Sequence, residues 1–310
     1  MATGKTYKIS LAGFIITLTG SIFFSTKAII IKKAFADTQV DALTLLALRM
    51  IFSLPFYLVA AFVTSAQKTN VRMNAKQWLF VLSLGIFGYY ISSLLDFVGL
   101  KVVSAGMERL ILFLYPTFAV LINVIVFKVK MSRMQKWGLA LTYAGILMAF
   151  VGEWNLDVTN QNFAVGVCRI FLCAVTYSIY LVGSGRMIPQ IGATKFTAYA
   201  MLASTAGIMI HFAVKGNFEK IHFSNHLLYY GLLLAVIATV IPSFMISDGM
   251  RRIGSNNLAI ISSIGPVATI LQANFILGEK IFPEQIFGTI LVIAGVLMIG
   301  RDRGKKLPLK

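Results

Sequence analysis

Ten stretches of roughly twenty apolar residues follow one another along this chain, and they limit its fold more than any other feature. They fall at 9–31, 42–65, 77–99, 103–127, 137–153, 163–184, 196–214, 227–247, 256–277 and 285–300. A helical run of about 20 residues matches the hydrocarbon thickness of a bilayer. Lipid offers no partner to a backbone N–H or C=O, so runs this long and continuous are helices, not barrel strands. Ten such helices use about 200 residues of the 310, which leaves too little for a separate soluble domain. Hydrophobic residues make up 58% of the chain and charged residues 13%, against roughly 45–50% and 25% in soluble domains. Those values exclude a soluble globule, a disordered chain, collagen and a secreted disulfide scaffold. The expected fold class is all-α: a polytopic membrane protein of ten transmembrane helices.

The net charge of +17 would point to nucleic acid in a soluble protein. Here the charges sit in the short gaps between apolar runs, so they report topology and no nucleic-acid partner is expected. With the N-terminus inside, cytoplasmic segments carry eighteen of the 28 Lys and Arg, external segments six, and the spans the remaining four. Both termini are therefore expected in the cytoplasm. The external loop Trp154–Asn162 has neither Lys nor Arg. The first run is too long for a signal-peptide core and lacks a cleavage site, so it reads as the first span. Cys168 and Cys173 are five apart on one helix, face different directions and cannot bridge.

The chain repeats itself. Laying Gly99–Phe150 over Gly249–Gly300 at a constant offset of 150 gives identities at Pro116/Pro266, Gln135/Gln285, Gly99/Gly249, Gly138/Gly288 and Gly145/Gly295, among others. Apolar coincidences come free in membrane sequences, but coincident Pro, Gln and Gly do not. Two units of five helices follow, residues 1–153 and 163–310. Five is odd, so the second unit enters the membrane from the opposite side. Inverted repeats of this kind typify secondary transporters, because one pattern then builds a gate on each face of a midplane site. Pro116 and Pro266 lie mid-run in helices 4 and 9, where proline removes a donor. The carbonyls of Leu112 and Ser262 should then lose their helix partners, either as tolerated kinks or as symmetric breaks beside a cavity.

These residues resemble the EamA family of the drug/metabolite transporter superfamily. The second unit reads Pro266, Leu277-Gly278-Glu279, Gln285, Gly288 and Gly295-Val296, and the first reads Pro116, Gln135, Gly138 and Gly145-Ile146. Arg49, in the stretch Leu45–Arg49, also fits the family. The first unit departs from the pattern with Phe127-Lys128-Val129 in place of Leu-Gly-Glu. The resemblance implies a basket-like bundle around a central cavity and export of small metabolites such as amino acids, without ATP. Within the superfamily the alternative is an exchanger of organic phosphates or sugar nucleotides. A membrane-embedded enzyme or a channel are further alternatives from other classes.

Six ionisable residues fall within spans: Lys27, Arg49, Asp96, Glu108, Arg109 and Arg169. A charge at the bilayer centre costs about 3 kcal/mol on insertion scales, so such groups pair, face the bundle interior or snorkel. Lys27, Arg49 and Asp96 lie near run ends, where snorkelling accounts for them. Glu108 and Arg109 are adjacent, diverge by about 100° and cannot share a partner. Four positive and two negative groups favour a substrate bearing a carboxylate or phosphate, with Glu108 as the candidate for substrate contact or proton coupling. Tyr89, Tyr90, Tyr115, Tyr177 and Tyr180 are candidate cavity linings. The expected partners are a small-molecule substrate, a proton or counter-substrate, and the lipid bilayer.

Other signals carry less. Gly4-Lys5-Thr6 lacks the upstream glycine of a phosphate loop. His222 and His226, with Glu219, are too few for a metal. Gly183-Ser184-Gly185 has no base at its depth except His211, so packing explains it better than catalysis. No cofactor is expected.

Overall fold

The computed structural model describes residues 10–67, 70–128, 133–157, 162–216, 224–262 and 264–301, and among these every regular element is helical. The helices are α1 (Leu11–Thr38), α2 (Ala42–Ala66), α3 (Ala75–Gly99), α4 (Ala105–Leu112), α5 (Tyr115–Phe127) and α6 (Arg133–Asp157). They continue as α7 (Phe163–Ile191), α8 (Ala193–Lys215), α9 (Asn225–Gly254), α10 (255–261), α11 (Ile264–Leu277) and α12 (Pro283–Arg301). Seven stretches are long and apolar enough to cross a membrane: α1, α2, α3, the α4–α5 pair, α7, α8 and α9. Helix α11 and the apolar part of α12 are shorter. The chain is a multi-pass membrane protein. Its large apolar side chains point outward, with Phe62, Leu79 and Phe275 all exposed, while Ser, Thr and charged groups lie inside. That inversion of the soluble pattern suits a protein whose solvent is hydrocarbon.

Polar caps start the helices. Ser10 Oγ accepts from Gly13 N at 3.1 Å, Asp41 Oδ1 from Leu43 N at 2.9 Å, and Ser224 Oγ from Leu227 N at 3.1 Å. Asn74 and Gln77 form a reciprocal capping box at the head of α3. Gly192, at φ +88°, is the single residue between α7 and α8. Only glycine takes that conformation without steric cost, and it turns the chain within one position.

Two π turns interrupt α3 and α9, at Ile86–Ile91 and Val236–Val240. Their first residues differ by the 150 positions of the sequence repeat. Packing follows a consistent plan: α2 lies along α8 and α6 along α12, while α1 lies along α9 and α11, and α7 along α3 and α5. The α6–α12 crossing is tight enough to exclude side chains. A Cβ on Gly145 would stand 2.5 Å from the Gly288 carbonyl oxygen, and one on Gly295 would stand 2.4 Å from the Gly138 carbonyl oxygen. As the number falls from 145 to 138 the partner's rises from 288 to 295, so the two helices run antiparallel. Small residues at such crossings let backbones meet where lipid supplies no hydrophobic drive.

Of the two alternatives, kinks or breaks, the structure has helix breaks at both prolines. Helix α4 ends at Leu112 and α5 restarts at Tyr115, so Pro116 is in the first turn of a new helix. Pro266 likewise sits in the first turn of α11. Proline there forfeits an N–H that has no intrahelical partner anyway. The Ser262 carbonyl is not free, since it accepts from Gly265 N at 2.9 Å.

Candidate functional site

Five of the six ionisable residues within the spans converge inside the bundle. Lys27 comes from the middle of α1, Arg49 from α2, Asp96 from α3, and Glu108 and Arg109 from α4. Their exposures are 6%, 2%, 0%, 0% and 4%. None of them snorkels. Lys27 is far from a helix end because α1 continues to Thr38, seven residues past the apolar run. Asp96 and Arg49 turn inward because the interior supplies partners that the lipid face lacks. Arg169 is part-buried and takes no part in the cluster.

The cluster is asymmetric. Lys27 Nζ stands 2.6 Å from Asp96 Oδ2 but 3.9 Å from Glu108 Oε1. Asp96 Oδ1 and both Glu108 oxygens are buried without a hydrogen-bond partner among the described residues. Asp96 therefore holds the ammonium, and Glu108 stands farther from it, with its carboxyl against that of Asp96. Burying charges with incomplete hydrogen bonding opposes folding.

The two guanidinium groups stand apart from it. Arg49 Nη2 donates to Ser93 Oγ at 3.0 Å, and the guanidinium lies 5.0 Å from the Phe97 ring centroid. Arg109 lies 5.4 Å from the Phe24 ring centroid and packs flush on Gly265, where a Cβ would come within 2.3 Å of Nη2. The Nε of each is buried without a partner, and among the described residues neither has a carboxylate within 4.0 Å. Glu108 and Arg109 do diverge, as their adjacency required, Glu108 toward Lys27 and Arg109 toward α11.

Two cavities accompany these groups. One, of about 30 Å³, is lined by Lys27, Arg49, Tyr89, Ser93, Thr239 and Ser243, with Cys173 at its edge. The other, of about 20 Å³, is lined by Ser21, Arg109, Tyr115, Leu258 and Ser262. Phe24, Leu112 and Tyr177 line both and form the partition. The Phe24 and Tyr177 rings stack with centroids 6.2 Å apart. Each cavity has room for one or two waters. Of the tyrosines predicted to line a cavity, Tyr89, Tyr115 and Tyr177 do. Tyr180 stands behind Tyr89, donating to its hydroxyl at 3.3 Å, and Tyr90 turns away to His211 at 3.1 Å.

Several lining residues escaped the sequence reading: Ser21, Phe24, Ser93, Thr239 and Ser243. One signal was available, because Ser93 and Ser243 are repeat mates at the 150 offset. The charges have no such mates. The positions 150 residues beyond Asp96, Glu108 and Arg109 hold Ile246, Leu258 and Ala259.

Glu279 was also missed as a site element. Its carboxylate accepts from Ala105 N at 3.1 Å and Gly106 N at 3.4 Å, capping α4 across the bundle. It thereby fixes the helix that carries Glu108 and Arg109. Its first-unit counterpart, position 129, lies outside the described residues, as do Gly4-Lys5-Thr6, Glu219 and His222. Ser184 donates to the Leu181 carbonyl at 3.0 Å and His211 is held by Tyr90, which leaves packing as the role of Gly183–Gly185. Cys168 and Cys173 are unbridged. Among the described residues no cluster has the ligands for a metal.

The pattern of the EamA-like transporter family matches residues 11–151 and again 164–301. The chain is 32% identical to the uncharacterized transporter YcbK of Bacillus subtilis (strain 168) over 303 residues, covering 95% of this chain and 96% of that one. It is 21% identical to an S-adenosylmethionine/S-adenosylhomocysteine transporter of Chlamydia trachomatis over 240 residues, covering 75% and 73% of the two chains. One solved crystal structure superposes at a TM-score of 0.67 with 16% identity, covering 92% of this chain and 95% of that one.

Proposed function

Because this chain belongs to the EamA-like transporter family, we propose that it is a secondary active carrier that exports small carboxylate-bearing metabolites, amino acids and their derivatives, by alternating access. The observation that carries this reading is the pair of buried guanidinium groups that have, among the described residues, no carboxylate within ion-pair distance. Burying such a cation is costly unless something pairs it, and a substrate carboxylate fits a guanidinium fork bidentately. Glu108, loosely held by Lys27, is the natural partner for a substrate amine or a coupled proton. A zwitterion satisfies both ends, and the Chlamydia relative's named cargo carries the same amino-acid moiety.

The carrier frame is two inverted five-helix repeats, 1–153 and 163–310. The twofold family match, the paired π turns and the reciprocal Gly145–Gly288 and Gly295–Gly138 contacts support that reading. Inverted repeats around a midplane chamber favour alternating access over a channel. The distribution of Lys and Arg supports cytoplasmic termini in the inner membrane.

Counterflow in proteoliposomes tests the function. Vesicles are preloaded with unlabelled mixed amino acids and given labelled ones outside. Transient accumulation of label by the wild type, lost in Arg49→Gln, is the expected result. Accumulation only with a phosphorylated metabolite pool would replace amino acids with organic phosphates or sugar nucleotides. Silence with both pools, or a flux that never saturates, would overturn the carrier reading.

A further inference from the structure

We infer that the transport path contains two successive anion stations, one at Arg49 and one at Arg109, separated by the Phe24–Leu112–Tyr177 partition. This rests on the reading of the chain as a carrier of carboxylates and adds a second binding site to it. Each station has the same parts. The guanidinium is at least nine-tenths buried, its Nε has no partner among the described residues, and small hydroxyls stand nearby: Ser93, Thr239 and Ser243 at one, Ser21 and Ser262 at the other. Ser21 and Ser262 bond each other at 2.9 Å, so both hydroxyls close the Arg109 cavity together. An aromatic face backs each cation, Phe97 behind Arg49 and Phe24 behind Arg109.

The stations lie in series. Helix α1 contributes Ser21 to the Arg109 cavity, Lys27 to the Arg49 cavity and Phe24 to both. At about 1.5 Å of rise per residue, the two cavities are displaced by about 9 Å along a membrane-crossing helix. That is a short step for one carboxylate. The carboxylates at the Arg49 side engage Lys27, so the guanidinium of each station is left to receive an anion. When the Phe24–Tyr177 stack parts, a carboxylate released by one arginine meets the other while its ammonium end passes Glu108.

Thiol accessibility tests this without a known substrate or any transport signal. The native Cys173, in a Cys168→Ser background, reports the Arg49 cavity. Ser262→Cys, or Ser21→Cys should the first fail to fold, reports the Arg109 cavity in a background lacking both native cysteines. The probes are membrane-impermeant methanethiosulfonates, one bearing a sulfonate and one a trimethylammonium, added to the full-length protein in vesicles. Each reporter is expected to favour the anionic reagent by roughly tenfold. The preference at Cys173 should vanish with Arg49→Gln and persist with Arg109→Gln, and the preference at Ser262→Cys should do the reverse. If both reporters depend on Arg49 alone, there is one station. If neither prefers the anion, or neither reacts from either face, the path assigned here is wrong. A silent counterflow assay beside the expected thiol pattern would overturn the amino-acid cargo while leaving the two stations standing.

Discussion

Lys27 Nζ is 2.6 Å from Asp96 Oδ2 and fully enclosed with it between α1 and α3. Breaking a buried pair from one side is far worse than replacing both partners, because a lone buried charge remains. Asp96→Asn should therefore destabilise the purified protein by about 3–5 kcal/mol, read as a fall in melting temperature in detergent. The double variant Lys27→Met/Asp96→Asn should recover most of that loss. If it melts as low as the single variant, the pair is not what holds α1 to α3.

Glu108 behaves differently, being 3.9 Å from Lys27. Glu108→Gln should fold normally and still exchange substrate, but with a counterflow rate that no longer varies between pH 5 and 8. The groups facing Glu108 are Asp96, Lys27 and Arg109, and none of them is altered by the change. An unchanged pH profile in this variant would assign any proton coupling elsewhere.

Arg49→Lys keeps the charge and discards the fork. Lysine cannot clasp a carboxylate bidentately, so counterflow should fall by roughly tenfold or more. Its melting temperature should stay close to wild type, since Arg49 has no carboxylate partner to lose. Near-normal transport by this variant would mean that the site needs a charge rather than a planar fork.

The α6–α12 crossing makes a purely structural prediction. In Gly145→Ala the new methyl would stand 2.5 Å from the Gly288 carbonyl oxygen, and backbone cannot yield as a side chain does. Separation of the helices should cost about 1–3 kcal/mol, visible as a lower melting temperature. Gly288→Ala should match it, because its Cβ meets the Gly145 carbonyl at the same 2.5 Å.

Glu279→Gln removes a charged cap from α4. About 1 kcal/mol of stability is at stake, together with the placement of Glu108 and Arg109. The half-saturation concentration in counterflow should rise more than the stability falls. A change in stability alone would confine Glu279 to the scaffold.

Much of this was legible in the sequence, for reasons that also explain what was not. Apolar runs report where hydrocarbon must be met, and the helices lie on them. They say nothing of where a helix ends beyond the hydrocarbon. Helix α1 continues past Ile31 to Thr38 until Gln39 turns left-handed, and α7 reaches Ile191 because only Gly192 breaks it. Charge positions were equally plain, but azimuth is not written in spacing alone. Lys27 and Asp96 are 69 positions apart, and only the tertiary fold brings the two side chains together. The glutamate of Leu277-Gly278-Glu279 was visible as a pattern, yet its role depended on a helix terminus from the other half of the chain.

A frame of two matching halves, left neutral, would rest with equal ease in either of its two end conformations. Here every buried charge of the cluster lies before residue 110, and the positions 150 residues beyond Asp96, Glu108 and Arg109 hold Ile246, Leu258 and Ala259. The second half of the chain gives the cavities hydroxyls instead, from Thr239, Ser243 and Ser262. Under alternating access, two end conformations that expose so uneven a charge would differ in energy. The net direction of flow still belongs to the gradients. What the lopsided charge sets is how tightly the same molecule is grasped from each face of the membrane.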